Sequence, residues 1–162
     1  MSMLSEFFVA TDADAVGFGE RVHHVDATVR RRRYHPAEWQ GISDIELAMF
    51  WAILLREPFH ADRHELMLVQ MGEDGGEWLY RFPDRFVLPL SRLADASIAG
   101  LAAEWSRAPD MEGWELATLE KLILDLRKLA GEALAAHKGL FLWGSLRAAE
   151  LPDDPLREVR GH

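Results

Sequence analysis

The sequence predicts an α+β domain in which a mixed sheet of about four strands packs against three to five helices. The main observation is the amphipathic segment Trp114–Lys138, which passes through Gly139 into the apolar run Leu140–Trp143, so that helical periodicity gives way to a strand. The segments Glu65–Met71 and Glu77–Phe82 flank a glycine-rich joint and predict a β-hairpin. We therefore expect helices and sheet to share one core.

The length of the chain fits a single domain, and the sequence shows no internal repeat or linker. Its 162 residues can bury roughly two thirds of the surface of the unfolded chain. We expect residues 1–146 to form the α+β domain. Residues 147–162 are polar and contain two prolines, so they predict a loosely held C-terminal tail.

The N-terminal part of the chain predicts two strands. Met3–Ala10 contains the run Phe7-Phe8-Val9 and is followed by Thr11, which predicts a strand and then the N-cap of a short helix. Val25–Arg33 alternates apolar and polar residues and predicts an edge strand, although an irregular path fits the same residues nearly as well.

The helix that begins near Ser43 has the clearest start signal in the chain. Ser43 and Glu46 fit the S-x-x-E capping box, in which each side chain accepts a hydrogen bond from the other residue's backbone amide. Leu47–Leu55 is apolar on every face, so we expect this helix to be buried on most sides. Pro58 is expected to prevent it from continuing.

Three further helices are predicted downstream. Pro83-Asp84 opens a helical stretch that we expect Pro89 to break. Asp95 predicts the cap of a second helix, which ends before Pro109. The third is the amphipathic segment already described, and Gly139 after it suits the left-handed position that closes many helices.

Charge and composition exclude several functional classes. The formal net charge of −9 disfavours attraction to nucleic acid and to anionic membranes, so we expect neither as a partner. The absence of cysteine excludes thiolate catalysis and cysteine-based zinc sites, and it fits a reducing compartment. The longest apolar run is about half a membrane span, and the N-terminus lacks the basic region of a signal peptide. We therefore expect a cytoplasmic protein.

The strongest candidate for chemistry is a group of potential metal ligands after Pro58. His60, Asp62, His64 and Glu65 place two imidazoles and two carboxylates within six residues, and these are ligand types of zinc, manganese and iron. The order does not match H-E-x-x-H, because no second histidine follows Glu65 at that spacing. A polar loop with local hydrogen bonds is the default interpretation of the same residues.

Arg30–Arg33 is the only basic run in the chain. Four consecutive arginines fit phosphate binding or docking to an acidic partner. On a strand, however, two would point to each face, and the acidic net charge further weakens the nucleic-acid interpretation. A solvated edge that discourages aggregation is the default interpretation.

The six tryptophans divide into two groups by their setting. Three fall within apolar periodic segments and are expected in the core: Trp51, Trp105 and Trp143. Three lie at the edges of predicted elements: Trp39, Trp78 and Trp114. At such positions an indole either closes the core or anchors a partner.

Three apolar elements follow one another in a characteristic order. They are the opening Met1–Leu4 with Phe7-Phe8, the tryptophan-containing helix Leu47–Leu55, and the helix Leu119–Ala136 that leads through a glycine into a hydrophobic strand. Together they resemble the YfbM-like family of small bacterial proteins, over most of residues 1–146. The resemblance implies an α+β fold and a bacterial cytosolic origin, and it supplies no catalytic residues.

No complete catalytic constellation is present, so we predict neither catalytic residues nor a cofactor. The leading hypothesis is a non-enzymatic binding or interaction protein that engages a protein partner through Trp39, Trp78, Arg31 and Arg33. By analogy with other small acidic domains, an immunity or inhibitor role fits this composition. The alternative hypothesis is a metal-dependent hydrolase that uses the His60–Glu65 group. The oligomeric state is left open.

Overall fold

The computed structural model describes residues 2–16, 34–72 and 75–147 of the chain. A sheet of five strands forms the centre of this part: β1 (Ser2–Ala10), β2 (Ala37–Gln40), β3 (Met67–Met71), β4 (Glu77–Arg81) and β5 (Gly139–Arg147). The strands lie in the order β2-β1-β5-β4-β3, and every neighbouring pair is antiparallel. The predicted hairpin is β3 and β4.

Four helices of eight or more residues lie within the described ranges: α1 (Asp44–Leu55), α2 (Asp84–Ser91), α3 (Asp95–Ser106) and α4 (Leu116–Ala136). Residues 12–16 are also helical. The predicted α+β class is therefore confirmed. The sheet, however, is antiparallel with five strands, rather than mixed with about four.

The central strand β5 explains why the sequence pattern suggested a mixed sheet. Its side chains alternate between two hydrophobic cores, with Leu142 in the larger core and Phe141 in the smaller one. On β1, Phe7 and Phe8 divide between the same two cores. A strand covered on both faces is continuously apolar, and this pattern is typical of parallel sheets although it also occurs here. The predicted central position of β5 is confirmed.

The larger core lies between the sheet and the four helices. Each helix contributes buried side chains to it, including Trp51 from α1, Phe86 from α2, Trp105 from α3 and Leu126 from α4. The rings of Trp51 and Phe86 stack with their centroids 5.1 Å apart. Interlocked aromatic rings of this kind fix how the helices sit on the sheet.

Helix α1 begins where the capping box predicts. The Ser43 backbone N–H donates to Glu46 Oε1 over 2.8 Å, and the Ile45 N–H donates to Ser43 Oγ over 3.2 Å. The helix ends at Leu55, because Arg56 adopts a left-handed conformation with φ 57° ahead of Pro58. The predicted cap is therefore confirmed.

Two predictions about helix ends are wrong. Helix α2 continues through Pro89 to Ser91, so the proline takes one N–H donor from the helix without ending it. The N-cap of α3 is Ala94, without a side-chain hydrogen bond. Asp95 lies inside the first turn, where its Oδ1 accepts from Arg127 Nη1 over 2.6 Å.

Gly139 is needed for close packing rather than for a left-handed turn, so this prediction is also wrong. The left-handed residue that closes α4 is His137, with φ 57°. A Cβ atom at Gly139 would lie 2.9 Å from the ring of Phe141 and 3.0 Å from Nε of Arg81. Glycine thus lets β5 begin beneath these two side chains.

The predicted tail and one predicted strand cannot be compared with the structure. Arg147 is the last residue of β5, and residues 148–162 lie outside the described ranges. The same is true of the predicted strand Val25–Arg33.

Candidate functional site

His64 has a buried side chain, unlike the other three members of the predicted metal group. The residue is 1% exposed. Its ring meets Trp51 edge to face at a centroid distance of 5.4 Å and stacks on Phe59 at 5.9 Å. Its Nε2 atom lies 3.0 Å from Glu57 Oε1. The imidazole therefore fastens the loop between α1 and β3 to the body of the domain.

Both ring nitrogens of His64 have partners. The His60 backbone N–H donates to Nδ1 over 3.1 Å, and the His60 carbonyl oxygen lies 3.2 Å from the same atom. In the neutral ring, Nδ1 accepts a hydrogen bond from the His60 N–H, and Nε2 carries the proton. In the imidazolium, Nδ1 can instead donate to the His60 carbonyl oxygen. Nε2 therefore donates to Glu57 in both forms. This hydrogen bond, helped by Arg63, holds the pKa of the Glu57 carboxyl below its ordinary value. The ring has no free lone pair for a substrate or a metal.

The remaining members of the predicted metal group do not converge on His64. His60, Asp62 and Glu65 are exposed. The carboxylate that meets the imidazole is Glu57, which no motif or periodic pattern in the sequence links to it. Within residues 2–16, 34–72 and 75–147, no group of three or more His, Cys, Asp or Glu side chains is placed to hold a metal ion. The metal hypothesis stays a prediction that this geometry does not favour.

Trp39 and Trp78 lie on one cross-strand row of the sheet. The row runs from Trp39 on β2 through Ser5 on β1 and Gly144 on β5 to Trp78 on β4. The Trp39 Nε1–H donates to Asp125 Oδ2 on α4 over 3.0 Å. The indole of Trp78 lies directly against Gly144. Both indoles are half-buried and contact their own chain.

The other two predicted binding residues cannot be placed. Arg31 and Arg33 lie outside the described residues. A surface that combines these arginines with the two indoles therefore remains a prediction, while the indoles themselves have structural contacts that the sequence did not reveal.

An open cleft of about 440 Å³ lies where the ends of β1 and β4 meet α2 and the C-terminus of α4. Its lining includes Arg81, His137 and Lys138. The guanidinium of Arg81 lies 3.2 Å from an oxygen of Asp12 and 3.6 Å from an oxygen of Asp84. Because these two carboxylates flank the Arg81 guanidinium, the cleft does not have the character of an anion site.

β3 is an edge strand with an apolar, uncharged surface. Four of its five residues are hydrophobic and between 39% and 52% exposed: Met67, Leu68, Val69 and Met71. In the described part of the chain β3 pairs only with β4. Its second edge therefore presents backbone N–H and C=O groups beside exposed apolar side chains, which is a template for another strand. The sequence signal is an uncharged strand without period-two alternation, which by itself predicts only one half of a hairpin.

β2, at the opposite edge of the sheet, has the features that usually protect an edge. It is only four residues long, its positions alternate between half-buried and exposed, and the exposed residues are Glu38 and Gln40. Short length and charged side chains hinder pairing with another chain. The two edges of one sheet thus differ in the property that controls strand addition.

Two acidic residues act electrostatically on the cross-strand partner of Leu68. That partner is Tyr80, whose pKa is raised by burial and then by the negative charges of Asp44 and Glu65. Burial raises the pKa of the Asp44 carboxyl above its ordinary value, against a lowering effect of the Tyr80 side chain. Glu65 is exposed one position before Leu66. The surroundings of the Tyr80 hydroxyl are therefore negative.

Comparison of the chain with protein-family models, curated proteins and solved structures gives no match. The resemblance to the YfbM-like family accordingly stays a prediction. Among the described helices, none combines the length and the apolar character that crossing a bilayer requires.

Proposed function

We propose that this protein is a non-enzymatic interaction protein that binds a protein partner by strand addition along β3. The observation that carries the proposal is the contrast between the two sheet edges, since β2 is short and polar whereas β3 is apolar and uncharged. A strand added at β3 would form backbone hydrogen bonds and cover the exposed side chains of Met67, Leu68, Val69 and Met71.

The size of β3 indicates how strong such binding is. Covering the exposed half of one of these side chains contributes about 1 kcal/mol, and the four together contribute about 4 kcal/mol. Backbone hydrogen bonds each add roughly 1 kcal/mol, but association also carries a cost in translational and rotational freedom. We therefore expect weak, reversible binding from β3 alone, with a dissociation constant in the micromolar range or above.

Two further observations support a non-enzymatic role. The buried His64 has both nitrogens engaged, and in the cleft Arg81 is flanked by carboxylates. Neither group has the exposed, poised chemistry that a general base or an anion site needs. A cytoplasmic location is part of the proposal, because a cysteine-free chain fits a reducing compartment.

Affinity capture with edge variants tests the proposal. Immobilised wild type, Met67→Lys and Leu68→Lys are exposed to lysate of the source cell, and bound proteins are quantified by mass spectrometry. Gln40→Lys is the matched control, because it places the same charge at an exposed position of the other edge. We expect both β3 variants to lose a partner that wild type and the control retain.

Trp39→Phe separates this proposal from the indole surface predicted from the sequence. It removes the N–H that Trp39 donates to Asp125 but leaves β3 intact, so capture should not change. Thermal unfolding of every variant verifies the fold. Retention of all partners by both folded β3 variants would contradict the proposal.

A further inference from the structure

We infer that the face of the sheet that carries the smaller core binds arginines of the run Arg30–Arg33 through the carboxylates of Glu6 and Glu38. The chain itself then occupies the run, which is not presented to phosphate or to an acidic partner. The inference is independent of the proposed function, because it concerns neither β3 nor the partner bound there.

Glu6 is an acidic residue that is completely buried in this face. The residue is 0% exposed, and on β1 it shares the face of Phe8, which belongs to the smaller core. Across the sheet it lies between Trp143 of β5, another member of that core, and Glu38 of β2. A carboxylate that has lost its water beside an indole needs a cation, hydrogen-bond donors or a proton in place of that water.

Glu38 brings a second negative charge to the same place. It is the direct cross-strand partner of Glu6, so the Cβ atoms of the two residues lie about 4.5–5.5 Å apart. The side chain of Glu38 shares this face, because Ala37 and Trp39 on either side of it pack against the larger core. Like charges directly opposite each other destabilise a sheet, whereas a guanidinium between them donates to both.

Arg81 of β4 does not supply this cation. It lies in the row of Phe8 and Phe141, two strands from β1 and thus about 10 Å away. Its guanidinium lies 3.2 Å from an oxygen of Asp12 and 3.6 Å from an oxygen of Asp84. Because Glu6 is not exposed, a cation from solvent does not reach it either.

The complementary charge is present in residues 17–33. They contain five arginines and two acidic residues, a formal charge of +3 in a chain of −9. Residues 148–162, which also lie outside the described ranges, contain two arginines and four acidic residues. Charge complementarity therefore points to residues 17–33 as the source of the cation.

The described residues on either side of this stretch lie on the same face. Before it, Ala15 is buried in the smaller core, and after it the Tyr34 ring packs on Phe8 at a centroid distance of 5.6 Å. Phe8 and Glu6 are two residues apart on one strand, or about 7 Å. The Cα of Arg33 is about 3.8 Å from that of Tyr34 by covalent geometry. Chain connectivity thus keeps the end of the arginine run close to the two carboxylates.

Double-mutant cycles test the inference. The unfolding equilibrium constant is measured by urea denaturation for variants in which Arg30, Arg31, Arg32 or Arg33 is changed singly to glutamine. Each change is made in wild type, in Glu6→Gln and in Glu38→Gln. The exposed position of Glu38 keeps one cycle measurable if Glu6→Gln does not fold.

Arg21→Gln in the same three backgrounds is the matched control, because it removes a cation of the same stretch at nine residues from the run. The charge of the Glu6 carboxyl is read separately in wild type, from the pH dependence of its ¹³C resonance.

At least one arginine of the run should show coupling to Glu6. Its change to glutamine should raise the unfolding equilibrium constant at least about tenfold in wild type and less than about twofold in Glu6→Gln. Coupling to the exposed Glu38 should be smaller, about threefold. Arg21→Gln should have the same effect in every background, and the Glu6 carboxyl should be ionised at pH 7.

Three outcomes overturn the inference. Coupling of Glu6 to Arg21 alone would move the contact out of the run. A Glu6 carboxyl that is neutral at pH 7 and coupled to no arginine would show that a proton, not a guanidinium, relieves the repulsion with Glu38. Salt-dependent binding of a single-stranded oligonucleotide that is lost when the run is changed to glutamine would show that the arginines are open to phosphate.

Discussion

The indole of Trp78 on β4 occupies the space that a side chain at Gly144 of β5 would need. The two residues are cross-strand partners, and Trp78 folds over the backbone of its neighbour instead of extending into solvent. Glycine in the middle of a central strand is unfavourable by itself, so its presence here reflects this close approach.

Gly144→Ala is therefore expected to destabilise the protein by about 2 kcal/mol, because the new methyl group displaces a half-buried indole that is held between strands. Gly131→Ala is the matched control: it lies within α4 with no atom near the position of its Cβ, and we expect it to stabilise by roughly 0.5–1 kcal/mol. Urea unfolding followed by tryptophan fluorescence measures both. Equal effects of the same sign would show that Trp78 does not pack as described.

His64→Ala is expected to destabilise the protein by about 3 kcal/mol, since it removes a buried ring, leaves the His60 amide without its partner and takes one hydrogen-bond partner from Glu57, which keeps Arg63. His60→Ala changes an exposed side chain and should alter the free energy of unfolding by less than about 0.5 kcal/mol. Urea unfolding in the presence and absence of a chelator tests both. A chelator-sensitive stability lost equally in the two variants would instead favour the metal hypothesis.

Glu57 should stabilise the folded state at neutral pH and lose this effect in acid. Its folded pKa is lowered below the ordinary value of 4.5 by His64 and Arg63, so its contribution is present above that value and is lost as the pH falls through the folded pKa. The difference in unfolding free energy between wild type and Glu57→Gln should thus be larger at pH 7 than at pH 3. A difference in unfolding free energy that is larger at pH 3 than at pH 7 would contradict this prediction.

Asp44 should show the opposite pH dependence. Burial raises its folded pKa above the ordinary value of 3.8, so its contribution to stability is greatest below that value and declines as the pH rises through the folded pKa. Relative to wild type, Asp44→Asn should become more stable between pH 3 and pH 7. Denaturation curves measured side by side for Asp44→Asn and Glu57→Gln let each variant serve as the control for the other. The same pH trend in both variants would contradict the burial of Asp44.

Local signals in the sequence predicted much of the fold. The capping box placed the start of α1, and the turn-rich joint placed the hairpin of β3 and β4. The periodicity of α4 and the apolar run of β5 placed the last helix and the central strand. Each of these depends on residues that are close along the chain, which is the information that patterns of three to ten residues contain.

Side-chain packing and strand pairing, which patterns in the sequence do not specify, produced the features that the sequence did not predict. The antiparallel order of the sheet depends on which strands meet, and the role of Gly139 depends on how the Phe141 ring and the Arg81 guanidinium pack against it. The partner of His64 is Glu57, across a proline and a loop. The docking edge was likewise hidden, because Met67–Met71 reveals an open edge only when its place at the end of the sheet is known.

Hydrogen exchange at the backbone amides of Met67–Met71 measures most directly whether β3 is an open docking edge. In the free protein at low concentration, we expect the amides that point away from β4 to exchange rapidly, and those within β1 and β5 to be protected. Binding of the partner that wild type captures should slow the exchange of the outward amides of β3 at least about tenfold and leave exchange in β1 and β5 unchanged. Outward amides that are already protected in the free monomer, or whose exchange does not slow when this partner binds, would contradict strand addition at this edge.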